Sequence, residues 1–471
     1  MREEGYRSLQ IRKSTFAALE STAVRLSVSA SEIYHLSRTR RDFHNMQLPC
    51  AVVRGVPLQI TETTGMLTPQ ELAAMRFAMS SPPQPCGEPG VYEEQVAQWV
   101  VEKSFFRDFV YRNARGKKKG DQLVDGIVLF GDVMFLIEVK AQIGAAKRDD
   151  WVRDRLGKAV SQLKKSQALL QEGQIPKLQN DFYGELDFDP RRYPNVFGIV
   201  VLAHHSDPYY APDLVPELLT SAFPVHVFSL RDFELVSDRF DTAGDMISFL
   251  ETRTDVSRLD KLLVQDEAQN LQRMIAHSRA VFAPHFVSDK PELLEKALLM
   301  FEWKATGKLA LDKDWQFSLL IDDLIAHAHD FDPNLSWNEN TTHESGLRVS
   351  TFLGWLTRDR RIKLGKLAYE HVELARDGKA YNFHHVHPSA KTSFVFFASS
   401  ASRAERVAYL RFLVSYAMFK DGSNESLGVA TEATGGGRSY DFVAIRGELS
   451  SEQIEVLKNL EDPFYTGLHP L

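Results

Sequence analysis

The stretch that most restricts the fold is DQLVDGIVLFGDVMFLIEVKAQ, residues 121–142. Two apolar runs flank Gly131-Asp132, a dipeptide suited to a two-residue hairpin turn, with glycine first as a type II′ turn prefers. A loop that short sets the register. Phe130 pairs with Val133, and counting outward places Asp125 directly opposite Glu138. Opposed residues share a face, with Cβ atoms ~5 Å apart. Lys140, two residues past Glu138, projects from that same face. A mostly buried hairpin is thus expected to end in two acids and one base.

Two carboxylates directly opposed repel each other, and near a core each is costly. A divalent cation between them removes both objections. Hard oxygen ligands with few protein contacts suit Mg²⁺, with Mn²⁺ as a substitute, because Mg²⁺ keeps waters and takes phosphate oxygens. A lysine beside the cation can orient water and stabilise charge developing on a phosphate. The cluster therefore fits metal-assisted hydrolysis of a phosphodiester, with Asp125 and Glu138 as metal ligands. Glu-x-Lys alone is a weak signal. It recurs at Glu302-Trp303-Lys304, inside a helical pattern where positions two apart face different ways, with no Asp-bearing strand before it.

The chain of 471 residues is too long for one core, so several domains are expected. Residues 1–79 read as a helical region in which Thr68-Pro69-Gln70-Glu71 forms a capping box. SSPPQPCGEPG (80–90) is a linker. From 91 to 235 the order is helix, three strands, a long basic helix near 149–170, then two strands. The first of those two, NVFGIVVLAHH, is apolar enough to be buried on both faces. Residues 240–375 read as helices with loops, and 380–471 as a small C-terminal α/β domain. Only Cys50 and Cys86 are present, no apolar run approaches the ~20 residues of a membrane span, and the N-terminus is polar with mixed charge. A cytoplasmic protein with no membrane partner is the expectation.

Net charge is −7, yet residues 101–170 hold fifteen Lys/Arg against nine Asp/Glu, a local +6. Lys117, Lys118 and Lys119 before the second strand, and Lys147 and Arg148 after the third, flank the acidic pair and are candidates for nucleic-acid phosphates; solvated loops are the plainer alternative. Arg153, Arg155, Lys158, Lys164 and Lys165 continue the basic zone along the helix.

With Asp125 on the second strand and Glu138-x-Lys140 on the third of a helix, three strands, helix, strand series, residues 90–230 resemble the PD-(D/E)XK nuclease superfamily. The resemblance implies an α/β fold with a restriction-endonuclease-like core, an αβββαβ mixed sheet. It also implies an Mg²⁺-dependent endonuclease acting on nucleic acid, DNA ahead of RNA, in bacterial anti-phage defence or DNA repair. The proline that the family carries before the aspartate is replaced by Val124. Many members add a glutamate from the first helix. Glu93 and Glu94 are the candidates, and Glu93 is preferred because it shares a face with Val96 and Val100. Gln142, beyond Lys140 on the same face, and Gln162, on the following helix, are further candidates. A homo-oligomer or a protein partner is a further expectation, and the competing class is an inactive restriction-endonuclease-like interaction protein acting as a subunit of a complex.

Other constellations are weaker. Among His384, His385 and His387, the alternate pair His385 and His387 could share a metal, but no third ligand is evident, and a histidine-rich loop is the simpler reading. The same holds for His204-His205 and for His327, His329 and Asp330. The GGGR turn at 435–438 precedes no helix and reads as a hairpin turn. Ala23 to Leu36 has helix-turn-helix spacing, with a plain helical hairpin as the preferred reading.

Overall fold

The computed structural model describes residues 52–53, 56–57, 91–105, 109–112, 123–142, 148–175, 177–180, 184–203, 221–259, 270–272, 274–276, 291–309, 314–327, 343–376, 380–387, 392–433, 440–460 and 462–464. The capping box at 68–71, the linker at 80–90, the helix-turn-helix spacing, the 204–205 histidines and the glycine turn at 435–438 lie outside them.

Helix α1 (Val91–Phe105) leads into β1 (Val110–Arg112), β2 (Gly126–Phe130) and β3 (Val133–Ala141). Helix α2 (Arg148–Gln171) follows, then a small hairpin of β4 (Lys177–Asn180) and β5 (Gly184–Asp187). Next come β6 (Asn195–Ala203) and β7 (Val225–Ser229). The five-stranded sheet runs β1-β2-β3-β6-β7, antiparallel across β1, β2 and β3 and parallel across β3, β6 and β7. The β4–β5 hairpin was not expected from the sequence. Only Leu178 and Asn180 of β4 are buried, too short an alternation to stand out, and Asn180 Nδ2 docks the hairpin by donating to Val110 O at 2.9 Å.

The hairpin register is the one expected, from Phe130 opposite Val133 to Gly126 opposite Ile137, with Gly131 at φ 60° in the turn. Val133, Phe135, Ile137 and Val139 face α1, α3 (Leu230–Arg239) and α4 (Ala243–Leu259). Met134 and Leu136 face α2. Helices on both faces explain why β3 is apolar at every position until Glu138. Each such side chain contributes ~1.5–3 kcal/mol by leaving water.

A second sheet follows α5 (Pro291–Ala305), α6 (Ser318–His327), α7 (His343–Trp355) and α8 (Arg358–Ala375). It comprises β8 (Tyr381–His387), β9 (Thr392–Ser399), β10 (Glu425–Glu432) and β11 (Tyr440–Arg446), in that order. The central pair β9–β10 is parallel, joined by α9 (Arg403–Asp421), which begins with a Ser402–Glu405 capping box. The last helix, α10 (Ser451–Lys458), starts after its N-cap Ser450. Phe394, Phe396 and Ala398 pack on α6, α7 and α8, whereas Val395 and Phe397 pack on α9 and α10. Residues 381–387, read from sequence as a histidine-rich loop, form strand β8, because Phe383 is buried opposite and stacked on Phe396. His384 pairs with Asp421 and packs on the Phe464 ring.

The helical stretch 240–375 is divided between two cores. Helix α4 and the end of α5 join the first sheet, and α6, α7 and α8 join the second. The cores meet at the tip of the β2–β3 hairpin. There the Trp355 ring packs on Phe130 with centroids 5.1 Å apart. No helix among the described residues is long and apolar enough to cross a membrane.

Candidate active site at the open end of the β2–β3 hairpin

The ladder of β2 and β3 stops at Gly126–Ile137, so Asp125 lies one residue beyond it, in a bend. Its side chain takes the place of the missing strand. Asp125 Oδ2 accepts a hydrogen bond from Val139 N at 2.7 Å. The carboxylate is thereby anchored to the segment that carries Glu138 and Lys140, on the sheet face covered by α2.

Glu138 continues the row of Met134 and Leu136 and is 0 % exposed. One of its oxygens, Oε1, accepts from the Lys140 ammonium, and the Asp125 main chain also hydrogen-bonds the carboxylate. Its other oxygen, Oε2, is buried and has no hydrogen-bond partner among the described residues. Burial pushes the Glu138 carboxyl up to about 7, the charge of Asp125 adds to the rise, and Lys140 opposes it. Asp125 is likewise raised, chiefly by burial, against the pull of the Val139 amide and Lys140. Lys140 remains half-buried at the rim.

Glu93, the preferred candidate, stands in the first turn of α1 beside Glu94. The neighbouring Glu94 carboxyl is raised by partial desolvation and by the charge of Asp125, with Lys140 lowering it. Spacing could not separate the two acids. The buried face of α1 is two residues wide, Val96-Ala97 and Val100-Val101, so Glu93 and Glu94 each stand three and seven residues from a buried pair member.

Gln142 is buried past the end of β3, and its main-chain N–H donates to Ala203 O at 2.9 Å, prolonging the pairing with β6. Gln162, on α2, donates from Nε2 to Leu123 O at 2.8 Å, two residues before Asp125. Lys117, Lys118, Lys119 and Lys147 lie outside the described residues; Arg148 begins α2, and its side chain is not among them. Of the other basic groups on α2, Arg153, Lys158 and Lys165 are exposed, and Lys158 is paired with Asp154 at 2.8 Å.

Three acids whose ionised forms oppose one another, with one lysine among them, leave an excess of negative charge that a cation would relieve. A buried carboxylate oxygen without a partner fits a metal ligand better than a structural role, because a buried polar atom left unpaired is destabilising. Among the described residues no three His, Cys, Asp or Glu side chains are grouped to hold an ion by themselves. A cation here would take two protein carboxylates and complete its shell from water and substrate, the habit of Mg²⁺. The second Glu-x-Lys, Glu302 to Lys304, lies within helix α5, where Lys304 is bound to Asp245 at 2.6 Å and Asp359 at 3.0 Å. None of the protein-family models, curated proteins or solved structures compared with the chain matches it.

Proposed function

We propose that the chain is a metal-dependent nuclease with a restriction-endonuclease-like core, hydrolysing phosphodiester bonds of nucleic acid, with DNA the expected substrate ahead of RNA. The observation that carries this reading is the Glu138 carboxylate, fully buried with one unpartnered oxygen, held against Asp125 and Lys140. In this reading Asp125 and Glu138 hold the cation. Mg²⁺, or Mn²⁺ in its place, supplies when bound a Lewis acid and a lowered pKa for coordinated water. The Lys140 ammonium stands beside the attacked phosphate and stabilises the charge that develops on its oxygens. Glu94, toward solvent, receives a proton from the attacking water. The water oxygen bonds to phosphorus while one ester oxygen departs and is protonated from solvent. Lys117, Lys118, Lys119, Lys147 and Arg148 are assigned to backbone phosphates. The biological setting that the resemblance suggests is defence against phage or DNA repair.

The test is cleavage of plasmid DNA and of RNA in Mg²⁺ and Mn²⁺ by the wild type and by Asp125→Ala, Glu138→Ala, Lys140→Ala and Glu302→Ala. The first three variants are expected to lose at least ~100-fold in activity, the scale of removing a transition-state charge stabiliser. Glu302→Ala keeps wild-type activity. Equal cleavage by wild type and the Asp125 and Glu138 variants would move the active site elsewhere. A wild type that cleaves nothing favours the interaction protein.

A further inference from the structure

The main chain that carries Asp125 is secured from outside its own sheet. The β2–β3 ladder ends at Gly126, and residues 123–125 lie beyond it. Leu123 and Val124 are nevertheless fully packed into the core beneath α2. A buried carbonyl in such a place requires a donor, and the Leu123 carbonyl receives one from Gln162 Nε2 at 2.8 Å. Gln162 stands on a part of α2 fixed by Ala159, Val160 and Leu163, all 0 % exposed. The other supports are already in place: Asp125 Oδ2 on Val139 N, and the Asp125 main chain on the Glu138 carboxylate. Displacing residues 123–125 would therefore move both acids, since Glu138 leans on the same main chain.

We infer that Gln162 is a positioning residue, whose side chain clamps the Leu123 carbonyl and so sets the spacing of Asp125 and Glu138 for a divalent cation. The inference rests on the proposed metal site. It separates Gln162 from the exposed basic side chains of the same helix, Arg153, Lys158 and Lys165, since its amide is turned inward to the main chain. Removing a partner that orients a metal ligand lowers metal affinity by roughly 10–100-fold.

The experiment uses the full chain and Mn²⁺ alone, without nucleic acid. Calorimetric titration gives the dissociation constant for wild type, Gln162→Met, Asp125→Asn and the double variant; thermal unfolding without metal is measured alongside. Methionine keeps the length of the side chain and removes the donor. Expected are binding by wild type, no binding by Asp125→Asn or the double variant, and ~10-fold or more weaker binding by Gln162→Met. Gln162→Met should still unfold cooperatively. If it does not, Gln162→Asn, which keeps the amide but shortens its reach, serves in its place with the same expectation. Wild-type affinity in a folded Gln162 variant overturns the positioning role while leaving the metal site intact. No binding by wild type, or undiminished binding by Asp125→Asn, overturns the metal site and the inference together.

Discussion

At Glu138 the chain places an acid where its neighbours in strand β3 are apolar, and the consequence is a measurable dependence on pH. The folded carboxyl sits at about 7, against an ordinary value of 4.5. A folded value above the unfolded one means that the folded state binds the proton more tightly. The stabilisation is therefore fully present below about pH 4.5 and is lost as pH rises through about 7. The shift corresponds to at most ~3 kcal/mol. Asp125 and Glu94 are raised too, so they add with the same sign. Without metal, wild type is expected to be less stable at pH 8 than at pH 5, and Glu138→Gln to flatten much of that slope. Urea unfolding of both proteins in a chelator at the two pH values measures it. An unchanged slope in the variant would place the titration elsewhere. Added Mn²⁺ should restore stability more at pH 8, because a metal displaces protons from its ligands.

Among the elements, the β2–β3 hairpin and helix α2 determine where the site residues stand, and glycines in each make distinct demands. Gly131 has φ 60°, and a Cβ there would meet the Trp355 ring at 2.7 Å. Gly173, after α2, has φ 65° with nothing within 4 Å of such a Cβ. Gly173→Ala should lose only the ~1–2 kcal/mol of a left-handed alanine. Gly131→Ala carries the same backbone strain plus ~1–3 kcal/mol for displacing a packed ring. Equal losses in chemical denaturation would show that the ring gives way freely. Gly157, within α2, also has open space around it. Gly157→Ala should stabilise the protein by ~0.5–1 kcal/mol, since alanine favours a helix interior and touches nothing here.

Over the whole molecule, the two cores are joined by buried charge as well as by apolar packing. Arg358 bonds Asp241 through Nε and Nη2, both at 2.9 Å, and Asp322 and Ser318 through Nη1. Arg361 reaches the other oxygen of Asp322 at 2.6 Å and donates to Gly354 O and Leu356 O, beside the Trp355 that grips the hairpin tip. Lys304 joins Asp245 to Asp359. Asp241 and Asp245 belong to the corner of α3 and α4, and Asp322 to α6, so the network spans both cores. Replacing such a pair by apolar groups can be harmless, but removing one partner strands a buried charge and destabilises by ~3–5 kcal/mol. Arg358→Ala should show that loss and separate a single calorimetric transition into two. A loss under ~1 kcal/mol with one transition retained would assign the coupling to the Trp355 contact instead.

Turn length and alternation are local properties, and they made the β2–β3 register and the common face of Asp125, Glu138 and Lys140 legible in the sequence by itself, before any tertiary contact. What it left open depended on distances between elements remote in the chain. Glu93 and Glu94 fit one periodicity equally, and only the docking of α1 on the sheet brings the Glu94 carboxyl under the influence of Asp125. Tyr381 to His387 became a strand because β9 offers it an edge. The Gln162 amide meets the Leu123 carbonyl across 39 residues, and Arg358 meets Asp241 across 117. Side chains of such polarity read as surface in a sequence, and only tertiary packing decides which of them are buried and therefore paired.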